Sequence, residues 1–246
     1  MGRYDGKNVV ITGGSSGLGL ATAQFLVDNG ARVMVTGRHR ETLEDAARQL
    51  GGDAIPVVSD AKSLPDIESL ADRVSTEFAT VHALVVNAGI GSFDPFEAVT
   101  EQTFDEVFAI NTKGPFFTVQ KLVPLLAEGS GVVLTTSIAN QTGWDALSVY
   151  SASKAALRSM ARTLSRELLP KGIRVNAISP GSIDTGKLEK EAPEKAAQLK
   201  AEFTASSPMQ RWGHPTEFDP AVAFLAFDAT FAAGIELVVD GGQSQL

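Results

Sequence analysis

The 246-residue chain contains no cysteine. Disulfides, thiolate metal sites and cysteine nucleophiles are thereby excluded, and a reducing compartment suits the composition. Only three histidines occur, at 39, 82 and 214. They lack any ligand spacing such as H-x-x-x-H, so no catalytic zinc is expected. Basic residues are in deficit: 21 Lys plus Arg face 29 Asp plus Glu, a formal net charge of −8. The basic footprint of a nucleic-acid or anionic-membrane binder is missing, and neither partner is expected. No apolar run approaches the ~18–20 residues of a transmembrane helix. The start, M-G-R-Y-D-G-K-N-V-V-I-T, lacks the apolar stretch of a signal peptide, and Gly6 stands where a myristoylation signal needs Ser or Thr. The expectation is a soluble cytoplasmic protein.

What is present is ordinary globular material, 43% hydrophobic and 20% charged, which excludes a disordered or collagen-like chain. Short β-branched runs recur at Asn8–Thr12, Arg32–Thr36, Ala54–Val58, Ala83–Val86, Gly131–Thr136, Ile173–Ile178 and Ile235–Val239. Between them lie amphipathic stretches near Gly17–Asn29, Arg40–Leu50, Leu64–Phe78, Thr103–Leu126 and Val149–Leu169, with weaker ones near Lys187–Ala205 and Thr216–Ala226. Alternation of this kind predicts βαβ units and a parallel sheet covered on both faces. Strands such as V-V-I-T and A-L-V-V are apolar at successive positions, as a doubly buried sheet requires. The fold class is α/β, a single doubly wound Rossmann-like domain over residues 1–246. The Pro/Ser/Gly-rich stretch from 179 to 215 reads as a mobile lid, about 182–214 in extent, rather than a linker.

The first strand runs into T-G-G-S-S-G-L-G at 12–19 and then a helix. Gly13, Gly17 and Gly19 let backbone approach a ligand closely, and the new helix start favours a phosphate. A P-loop is rejected because Leu20 and Ala21 stand where Lys and Ser/Thr must hold phosphate and magnesium. The glycine spacing also fits a nucleophile elbow on Ser15, with His214 downstream as base. Such an elbow would sit after the very first strand, whereas the active site of an open sheet is expected where winding reverses, with supporting strands on both sides. The second strand ends in Gly37-Arg38-His39-Arg40. No acid is there to grip ribose hydroxyls, while Arg38 can pair bidentately with a 2′-phosphate, which points to NADP(H) rather than NAD(H).

Of only two tyrosines, Tyr4 lies in the N-terminal tail and Tyr150 opens a helix as Y-S-A-S-K, with Lys154 four residues on and on the same face. A cation about 4 Å from the phenol, at an effective dielectric of ~20, is worth roughly 4 kcal/mol. That is enough to draw the phenol toward acid–base work near neutral pH, less what desolvation takes back. Ser137 closes the fifth strand, at the sheet edge where open α/β folds bind ligands, and its hydroxyl can hold a substrate oxygen. Asn111 precedes Gly114 and Pro115, so its carbonyl loses a helical partner and is free to bind water and relay a proton toward Lys154.

In this order and spacing, T-G-x-x-x-G-x-G at 12–19, N-A-G at 87–89, Asn111, Ser137, Y-x-x-x-K at 150–154, P-G at 180–181 and V-D-G-G at 239–242 resemble the short-chain dehydrogenase/reductase family over essentially the whole chain. The nearest likeness is to bacterial NADPH-dependent secondary-alcohol dehydrogenases and ketone reductases. The resemblance implies seven parallel strands in the order 3-2-1-4-5-6-7. It implies reversible hydride transfer between NADP(H) and a ketone or secondary alcohol. Tyr150 is then the acid–base residue, Lys154 its partner and a ribose ligand, Ser137 the holder of the substrate oxygen, and Asn111 the support of the water relay. The implied cofactor contacts are Gly13, Ser15, Ser16, Gly17, Leu18, Gly37, Arg38, His39, Asp60, Ala61, Asn87, Ala88, Gly89, Tyr150, Lys154, Pro180, Gly181, Ile183 and Thr185. Val86 stands where the family often has a second Asn before N-A-G.

Substrate walls are sought at Ile90–Phe93, Ile138–Trp144, Val149 and Ser182–Leu188. Ser137, Ile138, Trp144, Tyr150, Ser182 and Leu188 are the expected substrate residues, of mainly apolar character. The expected partners are a small carbonyl or alcohol and further copies of the chain, since the family usually forms homotetramers. Two rival readings are a non-catalytic dinucleotide-binding or sensor protein on the same fold and the Ser15 hydrolase.

Overall fold

Seven short apolar runs line up as one parallel sheet: β1 (Asn8–Thr12), β2 (Arg32–Gly37), β3 (Ile55–Val58), β4 (Val81–Val86), β5 (Leu126–Thr135), β6 (Arg174–Pro180) and β7 (Glu236–Val239). Their order is β3-β2-β1-β4-β5-β6-β7. The computed structural model describes residues 2–51, 54–191 and 193–246. The helices are α1 (Gly17–Asp28), α2 (Arg40–Leu50), α3 (Leu64–Glu77), α4 (Glu101–Phe108), α5 (Gly114–Leu122), α6 (Ser148–Leu168), α7 (Lys187–Glu191), α8 (Pro193–Ser206) and α9 (Pro215–Ala223). The chain leaves β1 toward β2 and β3, then returns to place β4 on the other side of β1. That reversal falls at β1 itself, so a place after the first strand does not argue against an elbow on Ser15, and it opens a cleft beyond the carboxyl ends of β1 and β4.

Side-chain alternation sorts the strands' residues onto two faces. Val9 and Ile11 of β1, Val33 and Val35 of β2, and Ala83 and Val85 of β4 pack with Leu26 of α1, Leu43 of α2 and Phe218 of α9. Val10, Met34, Leu84 and Val86 point the opposite way, against Leu70 and Val74 of α3, Leu122 of α5 and Leu157 of α6. Each fully buried aliphatic side chain contributes about 1.5–3 kcal/mol. Two dry layers thus clamp the strands, and the site at their carboxyl edge rests on a stiff base.

The expected helix over 103–126 is broken. It divides into α4, a π turn at Ala109–Lys113, and α5. Pro115 lacks an N–H and interrupts the regular ladder, and the Gly114 N–H reaches five residues back to Ala109 O. Gly114 also lies so close to the Ala61 carbonyl that a side chain there would overlap it. β5 starts at Leu126, earlier than Gly131, with a register irregularity against β4 between Val81 and Ala83. The weak pattern over 187–205 resolves into α7 and α8; Ala192, between them, lies outside the described residues. Between α9 and β7 lies a second π turn, Phe224–Asp228. Buried Arg174 closes that turn by donating to the carbonyls of Leu225, Ala226 and Ala229.

Candidate active site

The glycine-rich turn between β1 and α1 forms the floor of a groove of about 700 Å³. Gly13 and Gly17 hold φ of +67° and +56°, which L side chains rarely adopt. A Cβ on Gly13 would press the Ala88 backbone, and one on Gly19 would overlap Gly13 O and the Asn87 amide. The turn is tied down from behind. Buried Thr12 accepts from the N–H groups of Asn87 (3.0 Å) and Ala88 (3.1 Å). Asn87 Nδ2 donates to Gly13 O at 3.2 Å. Ser16 supplies no side-chain cap to α1, and the first turn holds no carboxylate. The amide end of α1 therefore keeps its attraction for an anion. All nineteen cofactor residues expected from the resemblance line this one groove, with Arg38 and His39 exposed at its lip.

At the groove's other end stand Tyr150 and Lys154. They share a face of α6, and the ammonium lies 5.8 Å from the phenol ring centroid. Lys154 is buried, donates to Thr135 O at 2.9 Å, and is depressed by desolvation to a pKa of about 8. A Cβ placed on Gly89 would lie 3.2 Å from both Lys154 Nζ and Asn111 Oδ1, a tight fit that would press on both groups. Burial raises the Tyr150 pKa, and the hydrogen bond from the Ser137 hydroxyl lowers it without overcoming burial. Electrostatics alone predicted a more acidic phenol; in the fold, desolvation dominates, and the ammonium is spent on a carbonyl. The Asn111 side chain is fully engaged. Its Oδ1 accepts from Ile90 N, and its Nδ2 donates to Ile90 O and to Ser153 Oγ.

Residues 13–244 match a family model described as enoyl-(acyl carrier protein) reductase. A curated relative, oxidoreductase asL5 of Sarocladium schorii, is 38% identical over 99% of this chain and 98% of its own. Versicolorin reductase stcU of Emericella nidulans is 34% identical over 98% and 96%. The crystal structure of levodione reductase superposes with a TM-score of 0.91 at 32% identity, covering 98% of this chain and 99% of the other. The chain belongs to the short-chain dehydrogenase/reductase family. This is a family of oxidoreductases that use NAD(P)(H).

The expected substrate residues fall differently on this short-chain dehydrogenase scaffold. Only Tyr150 among them lines the groove. Ser137 is hydrogen-bonded to the phenol. Ile138 is 1% exposed and packs inward, so its side chain is core rather than a wall. Trp144 stacks edge-on against Phe203 of α8, which in turn meets Trp212. The Ser182 backbone is engaged by Gln243 and Gly213. Leu188 sits on α7. Thr36, Thr42, Ser59, Ile110, Thr135 and Thr136 also line the groove and were missed. Thr135 ends a strand and Thr36, Ser59 and Thr136 lie next to strand ends, and hydroxyls at the carboxyl edge of a parallel sheet were the available signal. His214 caps α9, with its Nδ1 accepting from Thr216 N; no hydrogen bond joins it to Ser15 among the described residues. The hydrolase constellation is therefore not assembled. No helix among the described residues is long and apolar enough to cross a membrane.

Proposed function

We propose that this enzyme reversibly transfers a hydride between NADP(H) and a ketone or secondary alcohol, with Tyr150 as acid–base catalyst. The carrying observation is the convergence of Tyr150, Lys154 and Gly89 at one end of a groove whose other end is a glycine-turned anion cradle. The cradle fits a dinucleotide, because the amide end of α1 carries neither a side-chain cap nor a carboxylate, and Gly17 leaves the space between it and Thr185 open. Gly13, Ser15, Ser16, Gly17 and Leu18 would hold the pyrophosphate side. Arg38 and His39 would hold the 2′-phosphate, and Asp60, Ala61 and Asn87–Gly89 the adenine and middle portions. Pro180, Gly181, Ile183 and Thr185 would flank the nicotinamide. When bound, the reduced nicotinamide supplies the hydride.

The protein's own part is proton management. A phenol raised by burial is neutral at pH 7 and ready to donate to a carbonyl oxygen as charge develops there. Ser137 would turn its single O–H from the phenol to that oxygen. Lys154, at about 8, still carries its charge at pH 7 and offsets the phenolate left behind. Asn111 supports proton relay through its backbone carbonyl, since its side chain is committed elsewhere. Alcohol oxidation needs the phenolate, so it gains as pH rises while ketone reduction declines. The family resemblance supports a cytoplasmic homotetramer, and exposed Phe104, Phe116, Phe231 and Leu246 suit contacts between copies. The segment 182–214 acts as a substrate lid over one catalytic domain, with Trp144, Ser182 and Leu188 on the substrate side. The names of versicolorin reductase and levodione reductase favour carbonyl reduction. The test is NADPH oxidation at 340 nm with a panel of neutral apolar ketones. Turnover faster with NADPH than with NADH is expected. Absence of turnover in both directions, with nucleotide bound, would sink the reading.

A further inference from the structure

The network behind Ser137 is built around a carboxylate that no step above uses. Glu236 opens β7 and pairs with Ala177 of β6. Its side chain is only 6% exposed. One oxygen, Oε1, accepts from Asn140 Nδ2 (2.5 Å) and Ser179 Oγ (2.6 Å). The other, Oε2, lies 2.6 Å from Arg158 Nε. Asn140 Nδ2 also donates to Ser137 O at 2.7 Å. The second amide hydrogen of Asn140 thus ties the serine's own peptide to the buried carboxylate. Arg158 stands eight residues beyond Tyr150 on α6, so Tyr150, Lys154 and Arg158 descend one face at i, i+4 and i+8.

The juxtaposition is specific. Ser137 and Tyr150 come from different elements, and their hydroxyls must meet. One carboxylate grips both carriers: the turn of Ser137 through Asn140, and the helix of Tyr150 through Arg158. A buried acid with several satisfied contacts is a strong geometric constraint, because losing a partner leaves charge uncompensated.

We propose that Glu236, with Arg158 and Asn140, is a positioning unit that sets the Ser137 hydroxyl against the Tyr150 phenol. This rests on the catalytic reading above, and it adds residues that sequence motifs did not single out. Asn140 carries the link without carrying the charge, so Asn140→Ala breaks it most gently. Glu236→Gln keeps the shape and presents an amide hydrogen to a donor. The double variant Arg158→Met with Glu236→Met removes both charges and need not cost stability.

All three variants, purified and matched for NADPH binding stoichiometry, are assayed for ketone reduction at saturation. kcat should fall about 10- to 100-fold, as misplacement of reacting groups does, with the NADPH Kd within about twofold. A second readout needs no turnover. In a Tyr4→Phe background Tyr150 is the sole tyrosine, so tyrosinate absorbance near 295 nm titrates it directly. Loosening the Ser137 bond should raise that midpoint, since the bond favours the anion. A kcat within twofold of wild type in Asn140→Ala, or an unmoved midpoint, overturns the positioning unit. If the wild-type enzyme reduces no ketone at all, the catalytic reading falls, and the tyrosinate midpoint still decides the positioning claim.

Discussion

The two ends of the groove are built by opposite means. At the β1–α1–β4 end the surface is backbone, turned by Gly13 and Gly17 and braced by Thr12 and Asn87. At the β5–α6 end it is side chain: a phenol, an ammonium, two amides and a hydroxyl brought from separate elements. The first is damaged by adding atoms, the second by removing them. A backbone cradle tolerates many nucleotide-like anions, whereas the side-chain end must place single protons. Experiments that add or delete one group therefore separate the two.

The largest effect belongs to the side-chain end. Tyr150→Phe deletes one oxygen and leaves the ring packed. Turnover should drop by about 10²–10⁴-fold, the range of a positioned acid–base group. NADPH affinity, read by nucleotide fluorescence, should change little. Turnover near wild type would dissolve the contrast, because the two ends would then no longer differ in kind.

Adding a methyl at the other end gives the next largest change. Gly19→Ala drives a Cβ into Gly13 O and the Asn87 amide. Overpacking of this kind costs roughly 1–3 kcal/mol. The melting temperature should fall, and NADPH binding should weaken with it. Binding and melting both at wild-type values would mean the turn is softer than its hydrogen bonds imply.

A smaller effect sharpens the cradle's chemistry. Arg38→Ala removes a charged donor at the lip, worth roughly 1.5–3 kcal/mol where it meets a phosphate. The ratio of kcat/KM for NADPH over NADH should fall by about tenfold or more. Reversal to NADH by an acid at position 37 needs a further change. A Cβ on Gly37 would lie 2.8 Å from Ser15 Oγ, so Gly37→Asp should work best with Ser15→Gly. An unchanged ratio in Arg38→Ala would remove the residue from cofactor choice.

The same contrast explains what was legible in the sequence. Gly13–Gly19, Asn87–Gly89 and Tyr150–Lys154 are contiguous or one helical turn apart, so local chemistry announces them. Strand periods also carried the sheet and its faces, because burial on both sides leaves runs such as V-V-I-T. What stayed hidden depends on distant partners. Glu236 lies nearly a hundred residues from Asn140, and no pattern near either marks the bond. The π turn at Ala109–Lys113 follows from Pro115 together with the close approach of Gly114 to Ala61, which only the packed chain reveals. The direction of the Tyr150 shift was misjudged for a similar reason. Charge spacing along one helix was readable, whereas the desolvation that outweighs it was not. Ile138 looked like a wall because it follows Ser137, yet the short helical turn at Ile138–Asn140 directs it into the core.

The smallest effect concerns two buried ionisable groups, one behind each end. Asp219 of α9 is 3% exposed and accepts from Thr22 Oγ1 of α1 at 2.8 Å, behind the cradle. Desolvation raises its pKa from 3.8 to about 7. Between those values the folded chain holds the extra proton, so stability falls as pH rises through that window, and the penalty is complete above it. Lys154 runs the other way: folded near 8 and 10.5 otherwise, it makes stability rise as pH climbs between them. Asp219→Asn should therefore raise the melting temperature at pH 8, where Lys154 is still largely charged, by roughly 2–4 °C per kcal/mol recovered. The gain should shrink toward pH 4, and NADPH affinity should stay unchanged. A gain independent of pH would assign it to packing of the amide instead, leaving Lys154 as the buried ionisable group whose charge is tied to the function of its end of the groove.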